Sequence, residues 1–266
     1  MNRGSAQPIL EARSLTVRRG ERVIVEGIDL ALPAAGSVAV IGPNGGGKTS
    51  LLLALRGLLP ATGSLSLCGL DPRRSARGEV AKQVAVVPQR NEFAFSMRVE
   101  EMVLLGRAPY RKPWQGWGSE DREIVHGWLA RLGLERFADR PVDTLSGGER
   151  RRVFIARALV QETPILFLDE PFTGLDPAAQ EEIAALLTAI GRESERTLVI
   201  VLHDLFRIER LCDQVLGIAH GRVEVAGACR EVLDAPALER LFGVPWSEGT
   251  TAEGERLLVP RSEEKR

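Results

Sequence analysis

The chain has 266 residues, of which 44% are hydrophobic and 27% charged, values that are typical of a folded globular protein and exclude general disorder. Lysine and arginine together number 35 and aspartate and glutamate 36, so the formal net charge is −1. This balance excludes a basic footprint for nucleic acid over the whole surface, although a local basic patch stays possible.

The cysteines and the apolar segments limit where the protein can work. Its three cysteines are far apart and form no CxxC pair, which argues against a disulfide framework or a zinc site and favours a reducing cytoplasm. Met1 to Leu10 lacks the apolar segment of a secretory signal. No uninterrupted apolar stretch reaches the roughly 18 residues that span a bilayer, so we expect any work at a membrane to require a separate partner.

The chain begins with strands and one helix. Apolar residues nearly alternate from Val23 to Leu32, which predicts a half-buried sheet in the first 32 residues. Val38–Ile41 is a short apolar run that ends in glycines and predicts a buried strand entering a tight loop. The following segments are predicted as a helix and two short strands: Lys48–Leu59, Leu65–Leu67 and Val84–Val87.

From about Asn91 to Gln161 the pattern is mostly helical. Ser119 is the expected N-cap of the second helix, which has acidic residues in its first turn. The segment Arg107–Gly118 is rich in Pro, Gly, Trp and Arg and predicts an ordered loop. The predicted helices are Val99–Leu105, Glu120–Leu132 and Glu149–Val160.

Strands return in the last third of the chain. The continuous apolar runs Ile165–Leu168 and Thr197–Leu202 are typical of central parallel strands that are covered on both faces. A helix is predicted at Pro177–Ile190, and a hairpin is predicted from Val215–Ala219 and Arg222–Ala226. The segment from Ser247 is polar and predicts weak order.

These elements predict an α/β fold with a mainly parallel central sheet, in which a mostly helical block at about 91–161 lies between two sheet-forming regions. We expect residues 1–243 to form one domain and residues 244–266 to form a polar C-terminal tail.

The strongest local motif is a glycine-rich loop that lies between a predicted strand and a predicted helix. Its pattern is GxxxxGK[ST], the signature of a P-loop, in which backbone N–H groups converge on phosphate oxygens. Lys48 can reach the β- and γ-phosphates, and the Thr49 hydroxyl can ligate Mg²⁺. The alternative is a glycine-rich turn with an incidental lysine. The residues predicted to bind ATP are Gly42, Pro43, Asn44, Gly45, Gly46, Gly47, Lys48, Thr49 and Ser50.

Two carboxylates follow the apolar strand at Ile165–Leu168. Asp169 is placed to hold Mg²⁺, directly or through water, and Glu170 can accept a proton from an attacking water. The alternative is a pair of acids that cap the next turn, since Asp-Glu-Pro suits a turn.

A second helix start carries an anion-binding pattern. Ser146, Gly147 and Gly148 lie directly before the basic helix, where they expose backbone N–H groups. By itself this pattern could be an ordinary N-cap. Its position between the P-loop and the Asp-Glu strand favours a role with a phosphate ligand.

With these motifs in this order, the chain resembles the ATP-binding-cassette ATPases over roughly residues 8–243. The resemblance implies a P-loop NTPase cassette with an N-terminal antiparallel β subdomain and an inserted helical subdomain, and with ATP and Mg²⁺ as cofactors. It further implies catalytic roles for Glu170, for Gln89 as the Q-loop glutamine and for His203 as the switch histidine. Two copies would pack head to tail, so that each ATP also contacts the other copy. The residues implied to act in that way are Ser146, Gly147, Gly148 and Asp176, and those implied to hold the metal are Thr49, Gln89 and Asp169.

The chain departs from the family in two places. Gly46 stands where the family usually has Ser. Arg19, with Arg18 beside it, stands where the family often has an aromatic ring that stacks on adenine. An arginine plane can also stack on a purine.

Part of the chain is similar to importers of the iron–siderophore, haem and cobalamin type. The similar segments are Met97–Tyr110, Ser119–Arg122 and Leu241–Pro245, although the first also builds a helical core. The similarity implies a peripheral ATPase on the cytoplasmic face of the inner membrane. Its partners would be a second copy, permease subunits and, indirectly, an external substrate-binding protein, with no nucleic acid.

Other functions stay open at this point. The same ATPase could serve another importer or an exporter, for example for zinc, manganese or lipid. A soluble cassette acting on DNA or the ribosome is disfavoured, because the chain has one P-loop and no heptad run. A non-catalytic scaffold is disfavoured by the presence of Glu170 and His203.

The surface that would meet a permease is predicted beside the Q-loop. It comprises Asn91–Met97 and the loop Arg107–Gly118, which carries Tyr110, Trp114 and Trp117. Aromatic and arginine residues concentrate binding energy at interfaces. Alternatively, the tryptophans pin the loop to its own subdomain.

Overall fold

The computed structural model describes residues 7–89, 96–112, 114, 116–193, 195–251, 254 and 256–261. These residues fall into two compact units. The terminal unit comprises Met1–Arg74 and Val199–Arg266, and the middle unit comprises Ser75–Leu198. The single domain at 1–243 expected from the sequence stays a prediction.

The terminal unit opens with an antiparallel sheet and the strand that leads into the glycine-rich loop. Its first elements are β1 (Leu10–Arg19), β2 (Arg22–Leu32), β3 (Gly36–Ile41), α1 (Lys48–Leu55) and β4 (Ala61–Leu67). The first sheet has the strand order β2-β1-β4, and both pairings are antiparallel. Alternate residues of β1 are buried, among them Leu10, Leu15 and Val17, so the predicted N-terminal antiparallel β subdomain is confirmed.

The middle unit contains strands at its two ends and helices between them. Its elements are α2 (Arg77–Ala81), β5 (Val84–Val87), α3 (Val99–Leu104), α4 (Ser119–Arg131), α5 (Gly147–Leu159), β6 (Ile165–Asp169), α6 (Pro177–Glu193) and the start of β7 (Thr197–Val201). Short 3₁₀ helices lie at Leu105–Tyr110, Glu135–Phe137 and Val142–Thr144. Helices α3 to α5 lie between β5 and β6 in the sequence, where the inserted helical segment was predicted.

The last third of the chain completes the terminal unit. Its elements are a 3₁₀ helix at Leu205–Arg207, α7 (Ile208–Leu211), β8 (Gln214–Ala219), β9 (Arg222–Ala228), α8 (Cys229–Val232), α9 (Ala235–Phe242), β10 (Trp246–Thr250) and β11 (Arg256–Pro260).

The mainly parallel sheet that the apolar runs predict is confirmed. Its strand order is β5-β6-β7-β3-β8-β9, and β7 carries residues of both units. The pairs β5–β6 and β3–β8 are parallel, whereas β8–β9 is the antiparallel predicted hairpin. Every residue of β6 and β7 is buried, as expected for strands that are covered on both faces.

Three local expectations were wrong. Helix α1 ends at Leu55 instead of Leu59, because Gly57 adopts a left-handed backbone (φ 68°) that terminates helices. The N-cap of α4 is Gly118 and not Ser119, and Asp121 accepts the Gly118 N–H at 3.1 Å. The third concerns the C-terminal segment.

The described residues of the polar segment after Val244 form a hairpin and not a loose tail. Strands β10 and β11 pair antiparallel, with Trp246 opposite Pro260. Arg256 donates to Glu248 at 2.8 Å across the hairpin, and the Trp246 ring packs on Phe242 with centroids 5.8 Å apart. Ladder hydrogen bonds and cross-strand polar pairs do not require an apolar sequence, so hydropathy missed this element.

Two further observations concern the part of the chain that the structure describes. Within that part, no helix is long and apolar enough to cross a membrane. The three cysteines are free, and Cys212 and Cys229 are buried as small apolar side chains.

Candidate functional site

The glycine-rich loop joins β3 to α1 in the terminal unit, in the strand–loop–helix context that a P-loop requires. Gly42 has φ 140°, and a Cβ there would lie 2.0 Å from the backbone oxygen of Ile218 in β8. Gly47 is the N-cap of α1 at φ 106°, and its Cβ would lie 2.8 Å from Val25 Cγ2. Side chains at these two positions would collide with β8 and β2, so the sequence places glycine where the backbone itself must form the cradle.

The side chain of Lys48, which follows the loop in the sequence, reaches back to the start of the loop. Its side chain is buried, and Nζ donates to the carbonyl oxygens of Gly42 at 2.9 Å and Pro43 at 3.0 Å. Thr49 follows in the first turn of α1 and is exposed. The loop thus gathers one ammonium, one hydroxyl and the N-terminus of an eight-residue helix, a combination suited to an oligophosphate.

The second cluster lies in the middle unit and centres on Glu170. Gln89, two residues after β5, donates from Nε2 to Glu170 Oε2 at 2.5 Å. Thr173 donates from Oγ1 to the same oxygen at 3.0 Å. The Glu170 backbone is left-handed (φ 49°), which is costly for a residue with a side chain and is typical of functional positions. Two donors and a strained backbone therefore fix the carboxylate that was predicted to act as the base.

Asp169 precedes Glu170 as the last residue of β6 and is buried. The side chains predicted to hold a metal offer a hydroxyl at Thr49, a carboxylate at Asp169 and an amide oxygen at Gln89. All three are hard oxygen donors, which fit Mg²⁺ and do not favour a soft metal. Among the described residues there is no cluster of three or more His, Cys, Asp or Glu side chains, the pattern that a protein-only metal centre would need.

The serine–glycine motif forms the exposed N-terminus of α5. Ser146 is the N-cap: its Oγ accepts the Glu149 N–H at 3.3 Å, and its own N–H donates to Glu149 Oε2 at 2.9 Å. These hydrogen bonds from Ser146 lower the pKa of Glu149. The N-cap that was the alternative interpretation of this motif is therefore present, in the form of a capping box.

The same helix start is close to the segment that carries Asp176. A Cβ at Gly148 would lie 3.0 Å from Ala179 Cβ, and one at Gly147 would lie 3.4 Å from Leu175 Cδ2. Asp176 caps α6 by accepting the Ala179 N–H at 2.9 Å. The structure thus brings together two segments that the resemblance assigned to the second copy's ATP.

Sequence reasoning missed Arg151, one turn into α5. Its side chain is buried, and Nη1 and Nη2 donate to the carbonyl oxygens of Pro88 at 3.1 Å and Gln89 at 3.3 Å. Burial lowers the pKa of this guanidinium. The sequence signal at this position is a run of three arginines, which indicates only that the first half of the helix is basic.

His203 lies in the terminal unit, two residues after β7 ends, and is exposed. The next residue, Asp204, accepts the Phe206 N–H at 3.0 Å and caps the following 3₁₀ helix. The other two histidines are also exposed: His126 lies beside Glu100, and His220 occupies the β8–β9 turn.

The Arg107–Gly118 segment is partly fixed to its own unit. Arg107 is buried and forms ion pairs with Asp121 at 3.0 Å and Glu162 at 2.6 Å. Arg111 covers the Trp117 ring at 4.7 Å. Trp114, by contrast, is 80% exposed. Of the other predicted contact segment, residues 91–95 lie outside the described residues.

Comparison with known proteins defines the family. A model of the ABC transporter family matches residues 25–173, more than half of the chain. The chain therefore belongs to this family and is an ATP-binding-cassette ATPase.

Individual relatives agree with this assignment. The achromobactin transport ATP-binding protein CbrD of Dickeya dadantii (strain 3937) is 36% identical over 236 residues, which cover 88% of each chain. The iron(3+)-hydroxamate import ATP-binding protein FhuC of Bacillus subtilis (strain 168) is 35% identical over 236 residues, again 88% of each chain. A solved ABC transporter described as of metal-chelate type, in an inward-facing conformation, is 25% identical with a TM-score of 0.85 and covers 97% of this chain and 99% of that one.

Proposed function

We propose that this chain hydrolyses Mg²⁺-bound ATP within a head-to-tail pair of its own copies, and that the pair drives a permease that imports a metal chelate. The chelate class is that of iron–siderophores, haem or cobalamin. The observation that carries the hydrolytic part is the fixed carboxylate of Glu170, which accepts from both Gln89 and Thr173.

In this proposal the loop at 42–50 binds the phosphates of ATP. Lys48 exchanges its two carbonyl partners for phosphate oxygens, which are stronger acceptors because they carry charge. The N-terminus of α1 adds the positive end of its dipole. Thr49, Gln89 and Asp169 would hold Mg²⁺, which supplies positive charge to the phosphates when bound.

Glu170 acts as the general base. A carboxylate that is held in a fixed orientation can accept a proton from water as the water attacks the γ-phosphate. Gln89 and Thr173 orient this carboxylate. His203, in the segment after β7, is the third catalytic residue of this proposal. The exposed N-terminus of α5, with Ser146, Gly147 and Gly148, binds the ATP of the second copy together with Asp176.

The substrate class is supported by the relatives. CbrD and FhuC are, by name, transport proteins for achromobactin and iron(3+)-hydroxamate, and both align with most of this chain. In this proposal the permease is a separate polypeptide. The pair binds it from the cytoplasmic face of the inner membrane, and an external binding protein supplies the chelate.

The hydrolytic part is tested with Glu170→Gln. Loss of a positioned general base lowers the rate by about 10² to 10⁴, whereas ATP binding is retained because the loop is intact. The ATP-bound pair of the variant should accumulate and elute as a dimer in size-exclusion chromatography. Turnover within a few-fold of the parent would remove Glu170 from this role.

The transport part is tested in proteoliposomes. The permease is captured from the source membranes with the tagged chain and reconstituted with it. Uptake of a ferric hydroxamate, haem and cobalamin is then measured beside that of free Zn²⁺ and Mn²⁺. We expect ATP-dependent uptake of one chelate, which Glu170→Gln abolishes. Uptake of a free ion alone, or of none of the chelates, would contradict the substrate class.

A further inference from the structure

The buried guanidinium of Arg151 spans two consecutive carbonyl oxygens. Its Nη1 bonds Pro88 O and its Nη2 bonds Gln89 O, although Arg151 is 62 residues away from Gln89 in the sequence. Among the described residues these are its hydrogen-bond partners, and no described carboxylate forms an ion pair with it. The two bonds fix the backbone of the residue whose side chain donates to Glu170.

Filling space does not explain an arginine at this position. A buried charge costs free energy unless strong hydrogen bonds compensate it, and apolar residues of similar volume are often equally stable. The planar guanidinium of arginine can donate to two neighbouring carbonyl oxygens at once, which an apolar side chain cannot do. The contacts therefore indicate control of backbone position.

Arg151 also connects two parts of the proposed site. It lies in α5, whose exposed N-terminus carries Ser146 and Gly148. The guanidinium of Arg151 holds the backbone of Gln89, and the Gln89 side chain donates to the proposed base Glu170. A rigid helix thus links the surface proposed to contact the second copy's ATP with the amide that orients the base of its own chain.

We propose that Arg151 is a positioning residue that transmits the placement of α5 to Gln89 and thereby to Glu170. This inference rests on the proposed role of Glu170 as general base. The guanidinium fixes the Pro88–Gln89 backbone relative to α5, which sets the Gln89 amide against the carboxylate. Without the fork, Gln89 is anchored less firmly and the base is misplaced.

The test is a double-mutant cycle in the full-length chain, with Arg151→Met and Gln89→Ala alone and together. Small misplacements of catalytic groups can cost up to about 10²-fold in rate. We expect Arg151→Met to lower kcat about tenfold or more, with KM for ATP and Tm nearly unchanged. In the Gln89→Ala background the same substitution should lower kcat less than about twofold, because the residue through which it acts is already lost.

The matched control is Arg152→Met. Arg152 is the next residue of the same helix, but it faces Glu182 of α6 at 3.5 Å. We expect kcat of this variant to stay within about twofold of the parent. Arg151→Lys keeps a donor but not the fork, so its kcat should lie between those of the parent and Arg151→Met. If Arg151→Met does not fold, Arg151→Lys replaces it in the cycle.

The outcomes separate this inference from the proposed function. Equal kcat losses from the Arg151 substitution in both backgrounds, or an equal loss in Arg152→Met, would overturn the positioning role. A higher KM for ATP together with a lower Tm, without a change in kcat, would also overturn it and indicate that Arg151 serves packing. Failure of Glu170→Gln to reduce turnover would instead overturn the general base, and it is measured independently of Arg151.

Discussion

Two glycines of the P-loop face the same atom, and they allow a quantitative test of why the loop has its sequence. A Cβ at Gly42 would lie 2.0 Å from the carbonyl oxygen of Ile218, and one at Gly46 would lie 2.8 Å from it. Real Cβ atoms stay at least 3.0 Å from such atoms, so the first distance is 1.0 Å too short and the second 0.2 Å. Gly45 faces open space, but its φ is 79°.

These distances predict three different costs. Gly42→Ala combines an unfavourable backbone at φ 140° with a collision against β8, which together cost about 2 to 6 kcal/mol. Gly45→Ala costs only the left-handed backbone, about 1 to 2 kcal/mol. Gly46→Ala needs a shift of tenths of an ångström and should cost about 1 kcal/mol or less. Gly46→Ser, which restores the residue usual in the family, should behave similarly.

Thermal unfolding and ATP binding measure these costs. For a chain of this size, 1 kcal/mol shifts Tm by about 2 to 4 °C, so Gly42→Ala should lower Tm by about 4 °C or more. It should also weaken ATP binding, because Gly42 O anchors Lys48. Gly45→Ala and Gly46→Ala should lose clearly less of both. If Gly42→Ala melts with the parent, or if Gly46→Ala is the more damaging of the two, the contact argument is wrong.

Three further predictions concern the shared site, the exposed loop and a buried ion pair. A pair with Lys48→Ala on one chain and Ser146→Arg on its partner should keep more ATPase activity than a pair with both changes on one chain. In the first arrangement, head-to-tail packing would put both lesions in one site and leave the other site intact. Equal activities would count against shared sites. Trp114→Ala should leave Tm and basal ATPase unchanged but weaken capture of the permease, and unchanged capture would remove Trp114 from the coupling surface. Trp117→Ala, in contrast, should lower Tm because Arg111 stacks on that ring. Arg107→Ala should lower the free energy of unfolding by about 1 to 3 kcal/mol. This cost is smaller than for a fully buried ion pair because the carboxylate partners of Arg107 are partly exposed, and an unchanged Tm would contradict the prediction.

The nature of the chemistry could be predicted from the sequence, because the motifs that carry it are local. A glycine-rich loop needs glycine at positions of unusual φ, and the next residues, Lys48 and Thr49, are attached to it by the chain itself. Periodicity likewise predicted the buried strands β6 and β7, since a strand covered on both faces must be apolar throughout. Glu170 was predicted for the same reason, as it directly follows such a strand.

Contacts between distant segments were decided only by the tertiary structure. Nothing within a few residues of Arg151 reveals that its guanidinium bonds the carbonyls of Pro88 and Gln89. The same holds for Arg107, whose buried guanidinium pairs with Asp121 and Glu162, and for the β10–β11 hairpin, whose polar residues pair across strands. Local sequence determines backbone conformation because sterics and hydrogen bonds act over a few residues. Which side chains meet depends on packing over the whole chain, which the local pattern does not contain.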